Sequence, residues 1–460
     1  MIADRWARVA AHAARIAGAL GAGAITLLMP AAVAAHGMNA TYASRLPLAV
    51  YVVGAAVTVG LSFLFVIVRD VRAAPPDLTA AGHLPPAWVR YPLRVIGLVG
   101  WLWIVAQGIA GGSSDADVST LFLWVYGWVG LAILCALVGP VWQFLDPFST
   151  IHDLGAVALR ALHVRGWAVA DYPIALGRWP ATIGFAFFVW LELVVFAGQS
   201  TLFIVLIGYT AFTVAMMAQF GRDEWRAQGE TFTVWFRLLG RLAHWRLVDE
   251  DGRVQARPFG SGLLEPGWSA ADVTLVALGV SSIIFDGLSQ TQPFFDVFGA
   301  PGLIERTFLL FGFLGFVVLL AFAVARTVGM GAIGAGLLPI ALGYLIAHYM
   351  TYLLIDGQRI LIAISDPFNK GWNLFGTAFH EPTGDWLPPG LVWTVQLAAV
   401  VGGHMLGAWG GHVVAAADAP PGISAAALRR RQIPLAVVMI GLTTLTLWSL
   451  GQAIIVAPTT

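Results

Sequence analysis

Arg306 to Ala325 reads RTFLLFGFLGFVVLLAFAVA, twenty residues with a single charge, at the first position. At about 1.5 Å per residue such a helix is about 30 Å long, the thickness of a bilayer's hydrocarbon core. Apolar stretches of similar reach recur, predicting membrane helices over 46–68, 91–109, 119–139, 179–196, 201–220, 270–285, 306–325, 333–355, 389–415 and 433–456. The chain therefore reads as an all-α polytopic bundle of about ten spans.

Composition agrees. Of 460 residues 58% are hydrophobic and 11% charged, against about 25% charged in soluble domains. The 25 basic and 25 acidic side chains balance, and no basic run is interleaved with stacking aromatics, which argues against nucleic acid as a partner. The lone Cys135 excludes an intrachain disulfide and a thiolate metal cluster. The first 35 residues carry Arg5, Arg8 and Arg15, then the apolar stretch Ile16 to Met29, then Pro30 and small residues to Ala35. That is the order of a cleaved signal peptide: cleavage after Ala34 satisfies the small-x-small rule through Ala32, and cleavage after Ala35, which fits less well through Val33, would leave His36 as the mature N-terminus. With that end outside, 18 Lys and Arg fall in inside loops and four (Arg45, Arg306, Arg359 and Lys370) outside. The asymmetry predicts that the mature N-terminus is extracytoplasmic. In the largest inside loop, 221–267, Trp225, Trp235, Phe236, Leu239 and Leu242 mix with Arg226, Arg237 and Arg241. An amphipathic helix lying on the inner surface is expected there, followed by a hairpin turning at Asp251-Gly252.

Ionisable groups at membrane depth are costly and mark candidate sites, with a hydrogen-bonded packing seam as the rival reading. Tyr344, His348, Tyr352 and Asp356 recur every four residues on one helix face. Asp286-Gly287, with Gln290 and Gln292 behind it, and Asp356-Gly357-Gln358 read as helix breaks facing one external polar cavity. Asp-Pro-Phe occurs at 146–148 and again at 366–368, so Asp366 joins the candidates and a five-plus-five inverted repeat is suggested. His404 and His412 sit in a small-residue helix face that favours close packing, and Glu192 lies within the fourth span.

Three of these segments resemble a known family. Ala34-Ala35-His36-Gly37 with Leu46-Pro47, the run His348 to Gln358, and the pattern from Gly403-His404 to His412 are similar to bacterial polytopic proteins called fenitrothion hydrolase. These form a membrane-integrated organophosphate-hydrolase family. The likeness follows the mature chain in span order and brings no catalytic residue with it. Where that family has a charge after its second ninth-span histidine, this chain has Val413. The resemblance implies hydrolysis of a hydrophobic phosphotriester entering from lipid. The expected centre draws on His348, Asp286 and Asp356 for catalysis. His36, His348 and Asp286 would hold a divalent zinc or copper ion, which would activate water and stabilise phosphoryl charge. A metal-handling permease and a scaffold for a partner membrane subunit are the competing classes.

Overall fold

The computed structural model describes residues 48–69, 73, 82–111, 116–163 and 170–450; the predicted signal peptide and His36 lie outside them. Eight helices are long and apolar enough to cross a membrane. In chain order the elements are α1 (Leu48–Arg69), α2 (Ala87–Ala110), α3 (Val118–Leu137), α4 (Pro147–Ala161), α5 (Trp179–Val195), α6 (Gln199–Phe220), α7 (Arg222–Gln228) and α8 (Thr231–Leu239). A two-stranded hairpin follows, β1 (Trp245–Leu247) and β2 (Val254–Ala256). Then come α9 (Ala270–Ser289), α10 (Gln292–Phe298), α11 (Leu303–Val328), α12 (Met330–Ile355), α13 (Ile360–Ser365), α14 (Pro389–Ala417) and α15 (Ala425–Leu450). Every predicted span has a helix at its place. Those at the first and fourth places, α1 and α5, are not among the eight.

Helices α9 and α12 form the centre and are largely buried, while α2 and α11 turn residues such as Ile96, Ile109, Phe308 and Leu319 outward. Lipid tails are as apolar as these side chains, so a hydrophobic drive cannot hold helix to helix here. Backbone proximity does it instead. A Cβ on Gly407 of α14 would lie 2.3 Å from the Gly336 carbonyl oxygen of α12, and one on Gly403 would lie 2.6 Å from that of Pro339. The small residues flanking the α14 histidines are thus packing surface, as their spacing implies.

Two expectations about backbone fail. First, α9 runs unbroken through Asp286-Gly287 to Ser289, so this Asp-Gly is helix interior. Gly287 faces close neighbours, since a Cβ there would stand 3.3 Å from Ser449 Oγ and 3.5 Å from His348 Cε1. The second Asp-Gly does interrupt the helix: Asp356–Arg359 is a 3₁₀ turn between α12 and α13, held by Tyr126 Oη donating to the Gly357 carbonyl at 2.5 Å. Secondly, the two Asp-Pro-Phe tripeptides build different structures. Asp146 caps α4 by accepting from the Phe148 and Ser149 amides, whereas Asp366 accepts from the Lys370 and Gly371 amides in a loop. They lend no local support to an inverted repeat.

The 221–267 segment also departs from expectation. The hairpin is present, pairing Trp245 with Ala256 and Leu247 with Val254, and Gly252 takes φ 93° in its turn. The amphipathic surface helix is not. Residues of α8 other than Arg237 are buried, and Trp235 stacks on Trp128 with ring centroids 6.5 Å apart. A mixture of Trp and Arg reads as interfacial whether its apolar face meets lipid or protein, and here it meets α3, α5 and α9. Glu230, fully buried between α7 and α8, accepts from the Phe232 and Thr233 amides and from Tyr209 Oη of α6 at 2.5 Å. These bonds compensate a carboxyl removed from water.

Candidate functional site

At the ends of α9 and α12 away from the arginine-rich loops, polar side chains converge on Asp286. Its Oδ2 takes hydrogen bonds from His348 Nε2 at 2.9 Å and from Tyr349 Oη at 2.8 Å. Its Oδ1 takes one from Gln290 Nε2 at 2.7 Å, one helical turn further on. The His348 and Asp286 side chains keep 17% and 13% exposure, so the pair is sheltered yet reachable. A carboxylate can only accept, so His348 Nε2 carries the proton in this arrangement and Nδ1 is left as a lone-pair base. No hydrogen-bond partner for Nδ1 is present among the described residues.

Two neighbours extend the cluster. Glu192 is in coulombic reach of Asp286 and makes no side-chain hydrogen bond among the described residues. It stands in a π-helical turn, Leu191–Val195, that ends α5, and the next residue, Phe196, adopts the left-handed φ of 50°. A bulky residue in that region is strained and needs outside support. Arg306 of α11 provides it, donating from Nε to the Leu193 carbonyl at 2.7 Å and lying 4.5 Å over the Phe196 ring. Arg306 also donates to Ser289 Oγ at 3.3 Å and acts coulombically on Asp286. Tyr352 faces the same acids, with Glu192, Asp286 and Asp356 all within electrostatic reach.

The remaining sequence candidates lie elsewhere. Asp356 pairs with Arg359 at 3.1 Å in the 3₁₀ turn and does not join the Asp286–His348 pair. The predicted stack from Tyr344 to Asp356 is therefore divided among different neighbours. Tyr344, fully buried, meets His404 Nε2 at 3.3 Å, and His404 Nδ1 contacts the Val400 carbonyl at 2.8 Å. Gln358 ties the loop after α13 to the helix, reaching the Leu354 and Thr383 carbonyls at 2.9 Å each. Asp366 organises that loop's turn. His412 Nδ1 meets Gln432 Oε1 at 2.7 Å on the other side of the bundle.

Tyr349 and Arg306 are the residues that sequence reasoning missed. Tyr349 directly follows His348, where a four-residue period does not look. Arg306 reads as an ordinary interfacial charge at the start of the most apolar span.

Among the described residues no three His, Cys, Asp or Glu side chains converge as metal ligands. Asp286 and His348 supply two donors, short of the three or four protein ligands that zinc takes. His36, the third expected ligand, lies outside the described residues. What the described cluster can do by itself is accept a proton at His348 Nδ1 and hold the resulting imidazolium beside a carboxylate. No family model, curated protein or solved structure matches the chain.

Proposed function

We propose that this chain is a membrane-embedded hydrolase of lipophilic phosphotriesters, working at the outer end of α9 and α12 with His348 as general base. The observation that carries this reading is the 2.9 Å contact between His348 Nε2 and Asp286 Oδ2, with Nδ1 left as the base. Such a contact fixes the tautomer and ring orientation that proton abstraction requires.

In the proposed reaction His348 Nδ1 takes a proton from water, the water oxygen bonds to phosphorus, and the P–O(aryl) bond breaks with its electron pair leaving on the phenolate. Asp286 is a positioning residue that stabilises the imidazolium, and Tyr349 and Gln290 hold the carboxylate in place. Arg306 supplies positive charge at this end of the bundle. No step runs through a metal ion. The phosphotriester class rests on the family resemblance, and the charge asymmetry of the loops supports placing this end outside a bacterial inner membrane. Purified protein tests the reading directly: it should release nitrophenol from an aryl dialkyl phosphotriester in detergent, and no release from folded protein would overturn it.

One observation favours a second reading, a proton-coupled permease. His348–Asp286, Tyr344–His404 and His412–Gln432 form polar pairs at successive depths along α12 and α14, and His412 Nε2 and Gln432 Nε2 are buried without partners among the described residues. Proton flux into liposomes, absent nitrophenol release, would establish that class instead.

A further inference from the structure

The opposite end of the bundle holds a cavity of about 260 Å³, bordered by the α3 end, α8 and the hairpin. Five guanidinium groups line it: Arg178, Arg237, Arg241, Arg246 and Arg257. Among the described residues three carboxylates, Asp249, Glu250 and Glu265, share the wall.

The carboxylates are already divided. Glu250 lies 2.5 Å from Arg237 and 3.7 Å from Arg226. Glu265 binds Arg257 closely and stands 3.7 Å from Arg246. Arg178 turns to Asp272, at 2.8 Å, behind the wall. Among the described residues Arg241 has no carboxylate in ion-pair range. It donates to the Glu265 and Pro266 carbonyls and stacks 4.1 Å over Trp268. The Nε–H groups of Arg237 and Arg246 are buried with no acceptor among the described residues. A buried donor left unpaired is costly, and two such donors beside excess positive charge suit an anionic oxygen ligand.

We propose that this cavity is a binding site for a phosphate group. A carboxylate has two coplanar oxygens and pairs best with one guanidinium. A phosphate monoester offers three tetrahedrally placed oxygens that serve several guanidiniums at once. Trp142, Phe236 and Trp245 in the same wall accept the organic part of an ester. Burial, partly offset by Glu265 and Asp272, lowers Arg241 to about 10, so it stays charged at neutral pH. The phosphate can come from a lipid headgroup of the adjacent leaflet or from a soluble phosphate. The site stands independently of the hydrolase reading.

Calorimetric titration of the full chain in non-ionic detergent separates the sources. One arm uses inorganic phosphate against chloride at matched ionic strength. The other uses dioctanoyl phosphatidic acid against dioctanoyl glycerol, which lacks the phosphate. Saturable binding of inorganic phosphate assigns a soluble ligand, and saturation by phosphatidic acid alone assigns a lipid headgroup. In either case the R241Q/R246Q double variant should bind about tenfold more weakly or worse. Should the double variant fail to fold, R246Q alone, on the hairpin, is read against its own melting curve and should show the same direction. Binding by neither probe to wild type, or unchanged affinity in the folded variant, overturns the site.

Discussion

His348 Nε2 and Asp286 Oδ2 stand 2.9 Å apart, joining two helices across 62 residues of sequence, and Tyr349, the next residue of the same helix, bonds the same oxygen. Two donors from one helix on one carboxylate oxygen fix both the rotation of α12 against α9 and the tautomer of the imidazole.

Graded losses follow from that arrangement. D286N keeps the shape and removes the charge that holds the imidazolium, so kcat should fall by about 10²-fold or more with KM little changed. Y349F removes one donor and should cost about 2- to 10-fold. D356N breaks only a surface-type ion pair with Arg359, worth about 0–1 kcal/mol, and should retain wild-type turnover. Steady-state kinetics of the three variants checks the order, and a D356N loss equal to that of D286N would restore Asp356 to the site.

Helix packing gives a second test. In G407A the new methyl would stand 2.3 Å from the Gly336 carbonyl oxygen, forcing α12 and α14 apart, at a cost of about 1–3 kcal/mol. Gly402, five residues earlier, has nothing within 4 Å of its would-be Cβ, so G402A is the control. Thermal unfolding in detergent should show a lower Tm for G407A alone.

The acid side of the stability profile belongs in part to Asp153 of α4. Desolvation alone would raise its pKa, but hydrogen bonds from His152 and Arg94 and the charges of Arg222 and Arg94 hold the carboxyl well below the usual range. A group depressed in the folded state stabilises above its unfolded value, near 3.9, and loses that contribution as pH falls towards the folded value. The Tm gap between wild type and D153N should be constant above about pH 5 and close steadily as pH falls further. A gap that widens on acidification would contradict the assignment.

Orientation is open to labelling. With Cys135, which is buried, replaced by Ser, new cysteines at the exposed positions Gln292 and Thr383 should react with an impermeant maleimide from the extracytoplasmic side. One at Arg253, in the hairpin turn, should react from the cytoplasmic side only. The reverse pattern would place the His348 end inside.

Span positions were legible because a bilayer imposes a length on apolar runs that few residues can disguise. His348 was legible for a related reason, as an ionisable group within such a run, and Asp286 as a carboxylate directly after another such run. Their partnership was not, since nothing in sequence fixes which turn of α9 faces which turn of α12. The Asp286-Gly287 pair reads as a break because glycine serves equally for a turn and for close contact, and the helix that continues through it to Ser289 decides between them. The burial of α8 and of Trp225 and Arg226 in α7 escaped because the loop's length and arginines resemble those of an exposed segment, while Glu230 and Arg226 are compensated by Tyr209 and Asp146, on other helices or caps.

His348 is the residue on which the proposed chemistry depends most directly. Wild type and H348A, purified side by side and shown by thermal unfolding to be equally folded, are compared for nitrophenol release from an aryl dialkyl phosphotriester. Loss of a general base predicts that kcat falls by about 10²–10⁴-fold in H348A with the Tm preserved. Turnover equal to wild type in folded H348A would contradict the assignment of His348 as the base.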